Sequence, residues 1–132
     1  MSGRAADDLR EILGVLAEYG ASLDEERWPD HREIWAEDAE LSVFGRTHSG
    51  RDAIEAFMRG AVLGKHLTGV PRIEIDGDRA RSSADFIFFR APDLAPFTAG
   101  VYRDEWVRRD GRWRLARRAI EIQLRAPRPP AG

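Results

Sequence analysis

The sequence predicts an α+β fold in which N-terminal helices pack on a strongly bent, mostly antiparallel sheet, forming a cone-like barrel. Apolar residues recur with a period of 3.6 in the first third of the chain and with a period of two from Lys65 onward. Asp-Gly dipeptides at 76–77 and 110–111 separate pairs of alternating segments, as in β-hairpins. Helices followed by an antiparallel sheet are typical of the α+β class.

The length of 132 residues and the net charge of −2 indicate one domain, expected over residues 1–124, with a flexible tail at 125–132. The chain has no cysteine, which excludes thiol catalysis, disulfides and cysteine-based zinc sites. The near-neutral charge argues against a nucleic-acid partner. No apolar run approaches the roughly 18 residues of a membrane span, and the charged N-terminus has no secretory signal, so a cytoplasmic protein is expected.

Charge is distributed unevenly along the chain. Residues 103–128 carry nine arginines against four acidic residues, whereas residues 1–102 carry 12 basic and 19 acidic residues. This division favours pairing within the molecule or between subunits over nucleic-acid binding. Arginine outnumbers lysine 20 to 1 and asparagine is absent, a bias typical of a GC-rich bacterial genome.

Three helices are predicted in the N-terminal half. The first follows a stripe with helical spacing and has Asp7 and Asp8 in its first turn. The second runs from about Pro29 to Glu37, and the third begins with Ser49 as N-cap. The apolar positions of the first and third helices are Leu9, Ile12, Leu16, Tyr19 and Leu23, and Ala53, Ile54, Phe57, Met58 and Ala61.

Residues 40–45 alternate and predict a strand, and two hairpins follow after Lys65, joined by a proline-containing loop at 91–97. The last strand has an inconsistent alternation, because Trp113 and Leu115 are odd-numbered, whereas Ile120, Ile122 and Leu124 are even-numbered. A β-bulge near Arg117–Ala119 would place both sets on one face. Alternatively, the strand is buried on different faces at its two ends.

Six short segments form an ordered set along the chain: Tyr19–Trp28, Asp38-Ala39, Gly50–Ile54, His66, Ile75–Ala80 and Gly111–Arg114. In this order and spacing they resemble the SnoaL-like branch of the nuclear transport factor 2-like superfamily. The resemblance covers about residues 7–124 and implies the cone-shaped fold with an interior pocket. Members of this branch include dehydratases, a dehydrochlorinase, polyketide cyclases, isomerases and non-catalytic proteins, so the fold alone does not give the function.

The same resemblance implies a set of catalytic residues. Asp24, at the end of the first helix, matches a family aspartate that pairs with a strand histidine, here His66. Tyr19 matches a family tyrosine, and Arg118, with Arg117 as its rival, matches an arginine on the final strand. The sequence departs from the pattern where relatives carry a tyrosine (Val43 or Phe44 here), a second histidine (Asp85) or an asparagine (Leu67-Thr68-Gly69).

A histidine–aspartate dyad needs no cofactor, because the carboxylate orients the imidazole and the other ring nitrogen accepts a proton. We therefore expect a lyase or isomerase acting by elimination, dehydration or cyclisation on a small, largely apolar cyclic molecule. The alternatives are a binding or accessory protein of the same fold, and a structural subunit of a larger enzyme. The resemblance also implies a homo-oligomer, a dimer or trimer formed through the outer sheet face.

The remaining features give weaker signals. Candidate pocket-lining residues are Trp28, Trp35, Phe57, Met58, Phe86, Phe88, Tyr102 and Trp106, although such spacings are also typical of ordinary core. His31 is expected at the surface and His48 in a loop at the pocket rim. The histidines lack metal-ligand spacing, so no metal is expected, and no nucleotide-binding glycine motif occurs.

Overall fold

The computed structural model describes residues 3–93 and 96–126, with only the backbone described at 96 and 97. The helices are α1 (Gly3–Asp24), α2 (Trp28–Glu33) and α3 (Arg51–Arg59). The strands are β1 (Trp35–Val43), β2 (Arg46–Ser49), β3 (Gly64–Thr68), β4 (Arg72–Asp76), β5 (Arg79–Arg90), β6 (Pro96–Arg109) and β7 (Arg112–Arg125). The predicted α+β architecture is confirmed. Of the predicted tail, residues 127–132 lie outside the described part.

One seven-stranded sheet organises the molecule, in the order β2-β1-β7-β6-β5-β3, with β4 also paired to β5. All pairs are antiparallel except β1 with β7. The first half of β5 pairs with β4 and its second half with β3. The long strands β5, β6 and β7 therefore form the centre of the sheet, and the helices cover its inner face.

The predicted stripe buries α1 against the sheet. Ile12, Leu16, Tyr19 and Leu23 are at most 7% exposed, as expected for an amphipathic helix. The prediction that Asp7 and Asp8 lie in the first turn is wrong, because the helix begins at Gly3. Asp8 is buried instead and accepts hydrogen bonds from Trp113 Nε1 at 2.9 Å and Arg108 Nη1 at 3.1 Å.

The second helix is shorter than predicted. It ends at Glu33, and the strand predicted at 40–45 already begins at Trp35. Burial alternates from Asp38 to Val43, as is typical of an extended strand with one buried face. Phe44 and Gly45 have positive φ angles and form a turn into β2, which was predicted as loop.

The third helix begins differently from the prediction. Gly50 is its N-cap, with φ of 88°, and no side chain caps the helix. Ser49 instead ends β2. Ile54 and Met58 are buried and Phe57 is partly buried, in agreement with the predicted apolar face. Ala61, which was assigned to the same face, lies beyond the end of the helix at Arg59 and is exposed.

A β-bulge in the last strand explains its inconsistent alternation. The bulge lies one residue before the predicted position at Arg117–Ala119. Glu105 pairs with Arg117 and Trp106 with Leu115, so Ala116 is the extra residue. Trp113 and Leu115 before it, and Arg118 after it, are all buried. The bulge changes which alternate residues face inward, and thereby turns Arg118 into the interior.

The arginine-rich hairpin forms ion pairs with the acidic N-terminal part, as its charge distribution predicts. Arg108 pairs with Asp8 and Asp78, and Arg109 with Asp38 at 2.8 Å. No helix within residues 3–93 or 96–126 is long and apolar enough to cross a membrane.

Candidate active site

The concave face of the sheet, α1 and α3 enclose a cavity of about 560 Å³. This volume is in the usual range for a small-molecule site. Its rim is open to solvent, because Phe44, Val62 and Leu63 line it and are 54%, 49% and 52% exposed. The interior is mostly apolar, with Asp24, His66, Tyr19, Tyr102, Thr98 and Arg125 as its titratable or hydroxyl-bearing residues.

Asp24 and His66 meet at one wall of this cavity. Asp24 is the last residue of α1, and His66 is the central residue of β3. His66 Nδ1 lies 2.6 Å from Asp24 Oδ1, and the His66 backbone N–H also donates to the carboxylate, at 3.1 Å to Oδ2. Since a carboxylate accepts, Nδ1 carries the proton of the neutral ring, and Nε2 keeps its lone pair.

Burial controls the protonation of this histidine. Burial lowers the pKa of His66 below its usual value, and the hydrogen bond and charge of Asp24 offset this only partly. Neutral imidazole is therefore the resting form at pH 7. Its Nε2 forms no hydrogen bond with any residue of the described part, so it is available to accept a proton.

Two tyrosines lie beside the dyad, with Arg118 behind them. Tyr19 packs edge-on against the His66 ring, with the two ring centroids 6.2 Å apart. The centroid of the Tyr19 ring also lies 5.5 Å from that of the Tyr102 ring. Burial raises the pKa of Tyr19 and raises that of Tyr102 well above its usual value. Both phenols therefore remain hydrogen-bond donors at neutral pH.

Arg118 does not reach the cavity. Its side chain is fully buried and pairs with the buried Asp104 at 2.7 and 2.8 Å. Its Cζ lies 4.0 Å from the centroid of the Tyr19 ring and 3.8 Å from that of Tyr102. The rival residue, Arg117, is exposed on the outer face. Within the described residues, Arg118 Nη1 has no hydrogen-bond partner.

Six of the eight aromatic and methionine candidates line the cavity: Trp28, Phe57, Met58, Phe86, Phe88 and Tyr102. The other two lie in the core outside its lining. Trp35 donates to His31 Nε2 at 3.1 Å, and Trp106 donates to Ser82 Oγ at 2.8 Å. Their indole N–H groups satisfy buried acceptors instead of facing a ligand.

The surface position predicted for His31 is wrong. The side chain is 1% exposed and lies between Ser22 Oγ, 2.9 Å from Nδ1, and the indole N–H of Trp35. Burial and the charge of Arg118 lower the pKa of His31 to about 4. His48 lies on β2 instead of in a loop, and its ring stacks on Phe57 at 4.3 Å.

Residues outside the predicted pocket lining complete the cavity. Ile120 and Ile122 contribute from β7, and Arg125 lies at the rim. Their inward direction depends on β-bulges, which an alternation pattern alone locates poorly. Val43 and Phe44, where relatives carry a tyrosine, also line the cavity, whereas Asp85 is exposed outside it.

Within the described residues, no group of three histidine, aspartate or glutamate side chains could hold a metal ion. Separately, the cavity wall carries a neutral imidazole that is hydrogen-bonded to a carboxylate, and two phenol groups lie beside it.

Solved structures with this fold include proteins with different activities. An NTF2-like protein with a cystatin-like fold from Novosphingobium aromaticivorans is 27% identical, with a TM-score of 0.84, over 90% of this chain and 84% of that chain. A proposed scytalone dehydratase from the same organism is 21% identical, with a TM-score of 0.81 and coverages of 94% and 89%. The hexachlorocyclohexane dehydrochlorinase LinA type 2 is 20% identical, with a TM-score of 0.82 and coverages of 96% and 91%.

No functionally curated protein matches this chain significantly. The two enzymes below 25% identity show a shared fold. A model of the SnoaL-like domain matches residues 4–119, which is most of the chain. The chain therefore belongs to the SnoaL-like domain family.

Proposed function

We propose that this protein is a cofactor-independent lyase or isomerase that acts on a small, largely apolar cyclic molecule. The observation that carries the proposal is the 2.6 Å contact between His66 Nδ1 and Asp24 Oδ1 at the wall of an apolar cavity. A neutral, oriented imidazole facing an apolar cavity is suited to general-base catalysis. The dehydratase and dehydrochlorinase names carried by proteins of similar fold support this class of reaction.

In the proposed reaction, His66 Nε2 takes a proton from a carbon or oxygen of the substrate. Nδ1 keeps its hydrogen bond to Asp24, and the carboxylate stabilises the imidazolium that forms. The electron pair left on the substrate forms a double bond and either expels a leaving group or moves to a carbonyl oxygen. Returning the proton to another carbon of the substrate completes an isomerisation. Transferring it to the leaving group, for example a departing hydroxide that leaves as water, completes an elimination.

Tyr19 and Tyr102 are the proposed donors to developing negative charge. Both line the cavity and, because burial raises their pKa values, keep their O–H protons at neutral pH. A donor placed at a developing oxyanion stabilises the transition state more than the ground state. Arg118 is a positioning residue in this proposal, acting through its contacts with the two rings.

The base can be tested without knowing the natural substrate. Cyclohexanone, 2-tetralone and a 3-oxosteroid would be incubated with the protein in D₂O, and loss of the α-proton signal followed by NMR. We expect the wild type to accelerate exchange for at least one ketone. His66→Gln should reduce that acceleration by about 10²- to 10⁴-fold, the usual contribution of a positioned base.

His48→Gln is the matched control, because His48 stacks on Phe57 outside the cavity lining. This variant should catalyse α-proton exchange of the ketone at the wild-type rate. If ketones bind but exchange their α-protons only at the buffer rate, with wild type and His66→Gln alike, catalysis is contradicted. That result would favour the alternative of a non-catalytic binding protein.

We also propose a cytoplasmic homo-oligomer, a dimer or trimer, in which copies meet through the outer sheet face. That face exposes charged residues of both signs in cross-strand neighbours, including Glu74 opposite Arg81 and Glu105 opposite Arg117. Such a face can complement a second copy of itself. Light scattering coupled to size exclusion measures the number of subunits.

A further inference from the structure

We propose that the substrate carries a second, uncharged oxygen group, a hydroxyl or a carbonyl, to which Thr98 forms a hydrogen bond at the end of the molecule remote from the reacting carbon. This inference rests on the proposed function for which end of the molecule reacts, whereas the hydrogen bond itself can be measured by binding alone. Thr98 lies on β6 and lines the cavity.

The Thr98 hydroxyl is open to the cavity. The residue is only 7% exposed, yet its hydroxyl has no hydrogen-bond partner among the residues that the structure describes. In the same part of the chain, the unpartnered side-chain atom that is sealed from open space is Arg118 Nη1. The Thr98 oxygen is not sealed in this way, and the open space beside it is the cavity. A hydroxyl can donate one hydrogen bond and accept two, and this capacity remains for a ligand.

The cavity wall around Thr98 is mostly apolar. Phe88 pairs with Thr98 from β5, and Ile122 lines the cavity from β7. Arg125 pairs with Thr98 from β7, and its Cζ lies 5.3 Å from the centroid of the Phe44 ring at the rim. A wholly apolar ligand that removed water from the hydroxyl would leave it without a hydrogen bond, which is unfavourable. The position therefore discriminates against ligands that have no polar atom there.

Thr98 and the base lie in one row across the sheet. His66 pairs with Phe88, and Phe88 pairs with Thr98. All three residues line the cavity. Two strand spacings of roughly 4.8 Å separate the Cα atoms of His66 and Thr98 by about 10 Å. The Phe88 ring lies against the His66 ring, with centroids 4.7 Å apart. A molecule of one or two fused rings, lying over Phe88, can therefore contact both groups.

The experiment compares matched hydroxy and methyl ketones by calorimetry. The probes are 6-hydroxy-2-tetralone and 7-hydroxy-2-tetralone, each compared with the 2-tetralone that carries a methyl group at the same position. The two substituents are similar in size, and a purely apolar wall would favour the methyl group. We expect at least one hydroxy compound to bind wild type about five- to tenfold more tightly than its methyl counterpart, as for one hydrogen bond to an otherwise unpaired hydroxyl.

Thr98→Val replaces the hydroxyl by a methyl group, keeps the β-branched shape that suits a strand, and should reverse the preference. Thr98→Ser keeps the hydroxyl and should keep the preference. Thr68→Val is the matched control, because Thr68 is an exposed β3 residue outside the cavity lining. It makes the same change of atoms and should leave the preference unchanged. Circular dichroism and the melting temperature verify that each variant is folded, and Thr98→Ala replaces Thr98→Val if the valine variant is not.

The proposal is overturned if no hydroxy compound binds wild type more tightly than its methyl counterpart, including the case in which nothing binds. It is also overturned if Thr98→Val keeps the preference or Thr68→Val loses it equally. His66→Gln separates this result from the proposed function, because the hydroxyl preference should survive there even though proton exchange is lost. A hydroxyl preference in a wild type that exchanges no ketone would support the hydrogen bond and contradict the proposed function.

Discussion

At the residue scale, the Asp24 carboxylate is the group on which the proposed base depends. It accepts hydrogen bonds from the ring and the backbone of His66, and Lys65 Nζ lies 3.6 Å away. The Asp24 side chain is only 8% exposed. Backbone and ring contacts together fix the imidazole orientation, so a change at Asp24 alters both the basicity and the position of His66.

Asp24→Asn should change the pH profile of ketone exchange in two ways. The acid limb reports the pKa of His66, and Asp24 raises that pKa. Removing the carboxylate should therefore move the acid limb to lower pH. The plateau rate above it should fall by about 10²-fold or more, because the imidazolium loses its counter-ion. Initial rates measured between pH 4.5 and 8.5 give both quantities.

Asp85→Asn is the matched control, since Asp85 is exposed and outside the cavity lining. It should reproduce the wild-type profile. An Asp24→Asn profile with an unchanged acid limb and plateau would show that the carboxylate does not act on the base.

Some residue pairs can be predicted from the sequence and others cannot. Asp24 with His66 was expected from the resemblance, and the structure brings the two side chains together. The sequence did not predict which residue pairs with Arg118, or that His31 is buried. The short charged segment around His31 indicates surface. In the fold, the packing of α1 against α2 brings Ser22 to one ring nitrogen, and the start of β1 brings Trp35 to the other.

At the element scale, the contact between α1 and β3 sets the distance between the dyad partners. A Cβ added at Gly20 would lie 3.2 Å from the Cβ of His66. Glycine lowers helix propensity, but here it lets the helix approach the strand that carries the base. Gly14, in the same helix, has open space around it.

Gly14→Ala and Gly20→Ala make a matched pair. Gly14→Ala should stabilise the protein by about 0.5–1 kcal/mol through helix propensity alone. Gly20→Ala should gain less stability, because the neighbouring strand must shift by a few tenths of an ångström. The rate of ketone exchange should also be lower in this variant. Urea unfolding and exchange rates measure both. Equal stabilisation with unchanged exchange would show that the close approach is unimportant to the site.

Element boundaries follow the sequence where the pattern is regular. The α1 stripe and both Asp-Gly hairpins were predicted, and the structure has them. The start of β1 was missed because Ile34 and Trp35 fit a helical face as well as a strand. The bulge at Ala116 is visible in the sequence as a mismatch in alternation. The grouping of Leu124 with Ile120 and Ile122 is wrong, because the second bulge, at Gln123, turns Leu124 outward, where it is 71% exposed.

At the scale of the whole molecule, stability is coupled to pH through buried histidine. His31 has a pKa of about 4 in the folded protein, against roughly 6.5 when unfolded. Between these values the unfolded chain binds the proton and the folded protein does not. Folding stability is therefore fully present above about pH 6.5 and decreases as pH falls toward 4.

This coupling predicts a loss of roughly 3 kcal/mol in the free energy of unfolding between pH 7 and pH 4 from His31. His31→Gln should have a shallower pH dependence, even if its stability at pH 7 is lower. His48→Gln, with His31 intact, should keep the wild-type slope. Urea titrations at four pH values test this, and an identical slope in His31→Gln and wild type would contradict it.

The insertion of Gln123 has a consequence for engineering the last strand. Deleting Gln123 would leave Ile122 opposite Gly100, Leu124 opposite Ala99 and Arg125 opposite Thr98, so the same side chains would face the cavity from a regular ladder. A deletion variant would therefore separate the bend that the bulge gives to β7 from the choice of residues that line the cavity, and point-mutation libraries do not sample such length changes.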